Sequence, residues 1–161
     1  MKTRLLELLE ENCKYTSQDL AVMLDTSIET VEALIKELEA EQVICGYKTL
    51  INWDKMEETE HVTALIEVKV TPQRGDGFDK VAKRIYMFKE VEAVYLMSGG
   101  FDLTVIVKGK NIKEVAMFVG QKLAPLESVL STGTHFVLKR YKDHGVIFEQ
   151  PKKDERMVVS P

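Results

Sequence analysis

His61-Val62-Thr63-Ala64-Leu65-Ile66-Glu67-Val68-Lys69-Val70 puts Val62, Ala64, Ile66, Val68 and Val70 on one parity and Thr63, Leu65, Glu67 and Lys69 on the other. Successive side chains of a strand point to opposite faces, so this alternation is that of a strand with one buried side. Pro72 to Gly77 ends it, and Phe78 to Ile85 returns to helical spacing. Val91 to Met97 reads as a second strand, Ser98-Gly99-Gly100 as a loop, and Leu103 to Val107 as a third strand. A helix follows from Ile112 to about Leu123, closed by Pro125, and a Thr- and Val-rich strand runs from Val129 to Tyr141. The order βαββαβ is the ferredoxin-like arrangement.

Upstream the period changes. Leu5, Leu6, Leu8 and Leu9 among Glu7, Glu10 and Glu11 predict an amphipathic helix from Thr3 to Asn12. Ser17 is the expected N-cap of a short second helix ending near Leu24, and Asp25 tolerates the left-handed conformation of the turn that follows. Ile28, Val31, Leu34, Ile35 and Leu38 recur at spacings of three and four, so a third helix runs from after Ser27 to about Glu41. Three helices with a tight turn between the last two form a helix-turn-helix. Val43 to Tyr47 reads as a strand leading into a linker. The expected fold class is α+β: a helix-turn-helix over residues 1–50, a linker over 51–60, a ferredoxin-like βαββαβ domain over 61–149, and a loosely ordered tail over 150–161.

The 161 residues, 45% hydrophobic and 30% charged, suit one domain or two small ones. No run approaches the roughly 18 apolar residues of a membrane span, and Met1 leads into an amphipathic helix instead of a signal peptide, so a cytoplasmic protein with no membrane partner is expected. Cys13 and Cys45 stand alone, which argues against a zinc site or a disulfide framework and for buried small hydrophobes. Charge divides the chain: residues 1–60 carry 6 Lys/Arg against 14 Asp/Glu, a net of −8, and residues 61–161 carry 16 against 12, a net of +4. An acidic first half opposes DNA binding, because neutralisation of phosphates by Lys and Arg supplies most non-specific affinity.

Three motifs, in order and at their separations, carry a family resemblance. Ile44-Cys45-Gly46-Tyr47 with Leu50 and Trp53 follows the third helix, Val94 to Leu103 holds a strand-Gly-aromatic-Asp-strand element, and Ser131 to Lys139 is a Thr-rich final strand. Over nearly its whole length the chain resembles the leucine-responsive/asparagine-regulator (Lrp/AsnC) family. The resemblance implies DNA binding by the helix-turn-helix, ferredoxin-like domains pairing into homodimers that often build tetramers or octamers, and an amino-acid effector where those domains meet. The chain departs from the family at positions that usually carry Arg on the recognition helix, here Leu34 and Glu37, and Gln42 stands where a helix-ending Gly is common. At that left-handed position a residue other than Gly costs roughly 1 kcal/mol.

Ser27, Glu29, Thr30, Ala33 and Lys36 are the candidate DNA-contacting residues, lying on the early turns of the recognition helix. The competing reading is a solvated acidic face, or one used by a protein partner. Lys2, Arg4 and Lys14 could add basic contacts. Ser98, Gly99, Gly100 and Asp102 are candidates for an effector site, since glycines let backbone N–H groups approach a carboxylate and Asp102 could accept from an ammonium, with Thr132 and Thr134 adding hydroxyls. Against this stands a plain two-glycine turn fixed by Asp102, with Thr chosen for strand propensity. A few proteins of similar architecture decarboxylate a tetrapyrrole with histidine, but His61, His135 and His144 are scattered and suggest no catalytic grouping. No catalytic residue, metal or cofactor is expected. Arg74-Gly75-Asp76 reads as a turn, and Lys139, Arg140 and Lys142 as a solvated strand end.

Overall fold

A computed structural model describes residues 1–56, 61–72 and 77–148. The tail from Gln150, the linker residues 57–60 and the Arg74-Gly75-Asp76 turn lie outside the described residues. The chain divides into two compact units, Met1–Ile51 and a second beginning at Asn52.

The first unit is three helices, α1 (Lys2–Glu11), α2 (Ser17–Met23) and α3 (Ile28–Ala40). They bury Leu5, Leu8, Leu20, Ala21, Val31 and Leu38 together, the apolar positions at which their periodicities coincide. The α2 cap is Thr16, not Ser17. Its hydroxyl oxygen accepts from Asp19 N–H at 3.1 Å, and the Asp19 carboxylate accepts from Thr16 N–H at 2.9 Å and from its hydroxyl at 2.6 Å. This reciprocal box is written in the sequence as Thr-x-x-Asp, one position earlier than the Ser suggested. Those bonds hold the Asp19 carboxyl below the usual carboxylate range.

Both helices of the helix-turn-helix end in the same way. After α2, Asp25 adopts φ 50° and Thr26 N–H reaches Ala21 C=O at 3.0 Å; after α3, Gln42 adopts φ 56° and Val43 N–H reaches Leu38 C=O at 2.9 Å. Each is a six-to-one closure that satisfies orphan carbonyls, made with a left-handed residue other than glycine. The chain beyond α3 does not form the strand expected over Val43 to Tyr47. A strand exists through a ladder with a neighbour, and no described segment pairs with these residues. Cys13 and Cys45 are exposed, not buried, because they fall in the loops after α1 and α3; the Cys45 thiol donates to Gln42 C=O at 3.1 Å.

The second unit is β1 (Val62–Val70), α4 (Asp79–Tyr86), β2 (Val91–Leu96), β3 (Leu103–Gly109), α5 (Ile112–Phe118) continued by a single π-helical turn (Val119–Leu123), and β4 (Val129–Phe136). The antiparallel sheet has the order β2-β3-β1-β4, which is the ferredoxin-like order expected. Ala64, Ile66, Val68 and Val70 of β1 bury against Val81 and Ile85 of α4 and Val115 and Phe118 of α5, joined by Leu103, Val105 and Val107 of β3. Gly109 is required where β3 meets α5: a Cβ there would lie 2.9 Å from the Val115 side chain. Lys122, in the π-helical turn, donates to the Glu90 carboxylate and holds that carboxyl below the usual range. The pair therefore adds stability above the ordinary Glu pKa, and that contribution vanishes as pH falls through the lowered value.

The last strand is shorter than the sequence suggested. It stops at Phe136, and the chain then folds a small hairpin, β5 (Lys142–Asp143) against β6 (Val146–Ile147). His144 at φ 45° and Gly145 at φ 80° make its two-residue turn, whose backbone twist suits a tight hairpin. Lys139 and Arg140 are not a simple solvated strand end: Lys139 lies over the Tyr141 ring, and Arg140 packs on the Phe148 ring and pairs with Asp143 at 3.5 Å.

Candidate functional site

On α3 the core takes Val31 and Leu38, so the opposite side carries Glu29, Ala33, Lys36 and Ala40, all exposed. Thr30 and Glu37 flank this stripe on one side and Glu32 on the other. Ser27 caps the helix, its hydroxyl accepting from Thr30 N–H at 3.2 Å and lying 3.0 Å from the Thr30 hydroxyl. Glu29 folds back over the helix start, where a hydrogen bond from its own N–H and the neighbouring Ser27 hydroxyl keep its carboxyl below the usual range. The five candidate residues thus share one short, rigidly capped surface, and the small Ala33 allows close approach to whatever docks there.

The electrostatics of that surface remain acidic. Lys2 pairs with Glu37 at 2.8 Å and Arg4 with Glu7 at 3.0 Å, so two of the three cations that could have helped are already matched by carboxylates. Lys14, Lys36 and Lys48 have no carboxylate partner among the described residues of this unit.

The second candidate region is the end of the sheet where β2 turns into β3. Ser98, Gly99 and Gly100 are exposed there, with Gly99 at φ 138°, a conformation glycine adopts without strain. Asp102 is half-buried and heavily engaged. Its carboxylate accepts from Val70 N–H at 2.9 Å, its N–H donates to Val68 C=O at 3.1 Å, and its C=O accepts from Met97 N–H at 2.8 Å. The Val70 N–H points toward the β3 side, and the β1–β3 ladder ends with Val68 opposite Leu103, so the Asp102 carboxylate takes the place of a ladder acceptor. Asp102 therefore ties the glycine turn to the end of β1, and among the described residues its second carboxylate oxygen has no donor.

Thr132 lies across from Val68, which in turn lies across from Leu103, so Thr132 shares a rung with the residue after Asp102. Thr134 is two residues further along, opposite Ile66. Both hydroxyls are half-buried on the helix side of the edge strand, and one strand separates them from the glycine turn. The structure thus brings Ser98 to Asp102 and Thr132 to one end of the sheet and leaves Thr134 a rung away.

Two features escaped sequence reading. On the sheet face away from the helices, the Glu67 carboxylate lies 3.5 Å from His135 Nε2, beside Leu65, Ile106 and Tyr95. The alternation of β1 had already marked Glu67 for this face, but its partner depends on cross-strand register. The other is a cavity of about 50 Å³ lined by Asn52, Trp53, His61, Lys108, Arg140 and Phe148. The three histidines have separate local partners: His61 stands edge-on to Trp53 at 5.0 Å, His135 meets Glu67, and His144 meets Asp143 at 2.8 Å.

Residues 63–147 match the model of the Lrp/AsnC ligand-binding domain, and residues 2–44 match that of a winged helix-turn-helix DNA-binding domain. The chain belongs to the Lrp/AsnC family. A Bacillus subtilis relative, the HTH-type transcriptional regulator YugG, is 50% identical over 160 residues, 99% of this chain and 96% of that protein. The fold is that of Escherichia coli AsnC, at 19% identity and a TM-score of 0.65 over 86% of this chain and 91% of that one. It is also that of a Neisseria meningitidis transcriptional regulator determined with L-methionine, at 21% identity and a TM-score of 0.70 over 93% and 94%. As an Lrp/AsnC protein the chain has its DNA-binding type of unit first and its ligand-binding type second, which is the order read from the sequence.

Proposed function

We propose that this Lrp/AsnC protein is a sequence-specific DNA-binding transcriptional regulator, cytoplasmic and without catalysis, whose assembly or DNA affinity responds to an amino acid or a related metabolite. The observation that carries this is the exposed stripe of α3, in which Glu29, Ala33 and Lys36 stand opposite the core, flanked by Thr30 and capped by Ser27, on a helix closed at both ends. A recognition helix needs that combination of rigidity and a free face. With so few cations, affinity per subunit is modest, and a Glu on the stripe can accept from cytosine N4 while repelling phosphates.

Glu29→Gln and Glu32→Gln together should tighten binding to random duplex several-fold, and Lys36→Ala should weaken binding to any sequence and lower the log–log salt slope by about 0.9, the value of one phosphate contact. Titrations by fluorescence anisotropy check both. If neither change moves the affinity, α3 is not at the DNA. The acidic stripe would then favour the alternative, a metabolite-sensing or protein-interaction module that has kept the fold. The tetrapyrrole reading has no support, since the histidines have three unrelated settings.

The effector site on this reading is Ser98, Gly99, Gly100 and Asp102, with Thr132 and Thr134 supporting. The Neisseria meningitidis relative with L-methionine supports the class of ligand. The working unit is a homodimer or a larger even assembly, because several large apolar side chains stand in water: Tyr95 on β2, Leu130 on β4, and Val137, Leu138 (96% exposed) and Tyr141 after it. Leaving that much apolar surface in water is unfavourable, and a second copy would cover it. Light scattering of the full chain at about 10 μM should give at least twice the 18.3 kDa monomer mass; a strictly monomeric chain would remove this assembly.

A further inference from the structure

The first unit carries a shortage that the second could make good. Phosphate contacts supply non-specific affinity, yet Lys2 and Arg4 are matched by Glu37 and Glu7, and the α3 face is mostly carboxylate. Several cations of the second unit are matched too: Lys108 by Glu92, Lys122 by Glu90 and Arg140 by Asp143. The outer face of α4 differs. Lys80, Lys83 and Arg84 line one open groove of about 580 Å³ with Met87, Phe88 and Leu126, and among the described residues no carboxylate pairs with any of the three.

Their spacing of three and four residues puts their Cβ atoms about 5–6 Å apart on one side of the helix. All three are exposed, and Lys89 follows just beyond the helix end. Cations in a last turn offset the negative end of a helix dipole, which accounts for Lys83 and Arg84 but not for Lys80 a turn earlier. The apolar floor gives the aliphatic stems a surface to lie on while the charged heads stay in water.

We propose that this face of α4 is a second DNA contact, in which Lys80, Lys83 and Arg84 neutralise duplex phosphates without reading sequence while α3 supplies the base contacts. The inference rests on the DNA-binding reading above. Duplex DNA is favoured over an acidic protein because the charge displayed on α4 is of the kind the first unit lacks. Specificity is then divided: substitution on α4 changes affinity for every sequence alike, and substitution on α3 changes the ratio between sequences.

The test uses the full chain on random duplex across about 50 to 200 mM salt. The Lys80→Gln/Lys83→Gln/Arg84→Gln variant should lower the salt slope by about 2 to 3 per engaged subunit and raise Kd at the low-salt end at least tenfold, with the thermal midpoint unchanged. Lys110→Gln/Lys113→Gln, which removes exposed charge at the start of α5, should change the slope far less. Equal losses in the two variants would mean diffuse charge and overturn the inference. An unchanged slope in the α4 variant, with Lys36→Ala still weakening binding, would overturn it alone and assign the apolar-floored groove to an acidic protein. A wild-type chain that does not bind duplex at all would instead overturn the DNA-binding reading and this inference with it.

Discussion

The Leu38→Ala chain should lose DNA binding altogether while its sheet unit still melts where the wild type does. Leu38 is 2% exposed, closes the core between Leu5, Leu20 and Val31, and lends its carbonyl to the bonds from Val43 and Ile44 that end α3. Truncating a buried leucine to alanine costs about 2–5 kcal/mol, because the lost transfer energy is joined by the cavity left behind. At about 0.05–0.15 kcal/mol per residue, a unit of this size has only about 3–8 kcal/mol in total, so one substitution removes most of it. The core of the second unit shares no residue with that of the first. Calorimetry should therefore show one lost and one retained transition, and amino-acid binding should survive. A single transition that shifts as a whole would mean the two units do not fold independently, and the proposed division of labour would fail.

A second large effect is expected at Asp102, where Asp102→Asn should weaken amino-acid binding by about 1.5–3 kcal/mol, roughly 10- to 150-fold, with little change in thermal midpoint. An asparagine retains a carbonyl oxygen for Val70 N–H and so keeps the tie to β1, but it cannot offer a charge to a ligand ammonium. Asp102→Ala removes both functions. It should lose binding to the same degree and also lower the midpoint, because the Val70 N–H, just beyond the end of the β1–β3 ladder, is left without its partner. Isothermal titration against the twenty amino acids at millimolar concentration, with melting curves on all three proteins, separates the roles. If Asp102→Asn binds as tightly as the wild type while Asp102→Ala is destabilised, Asp102 is a structural tie only and the effector site must be sought elsewhere.

Much of this fold is legible in the sequence alone. Periods of two and of three to four residues assigned the helices and the four sheet strands, because burying one face of a strand or helix leaves a mark at every turn. The left-handed position of Asp25 follows from residue type and that of Gln42 from the family resemblance, and the six-to-one closures are found at both. The charge split and the exposed stripe of α3 also followed from the chain alone. What failed were features that depend on a partner. Val43 to Tyr47 has the composition of a strand and nothing beside it to pair with, and Cys13 and Cys45 are hydrophobic in type yet fall in loops. The N-cap moved one residue because the reciprocal bond from Asp19, and not residue preference, selects Thr16.

The sequence determined the helices, the four sheet strands, their order and the family resemblance, since local periodicity and capping are properties of neighbours along the chain. Tertiary structure decided what each candidate side chain is free to do. Asp102 meets Val70, Lys2 meets Glu37 and Glu67 meets His135 only because register and helix packing bring residues 32, 35 and 68 positions apart within hydrogen-bonding or ion-pairing reach. Those distances follow from closing the two cores, and no pattern read along one strand or helix contains them.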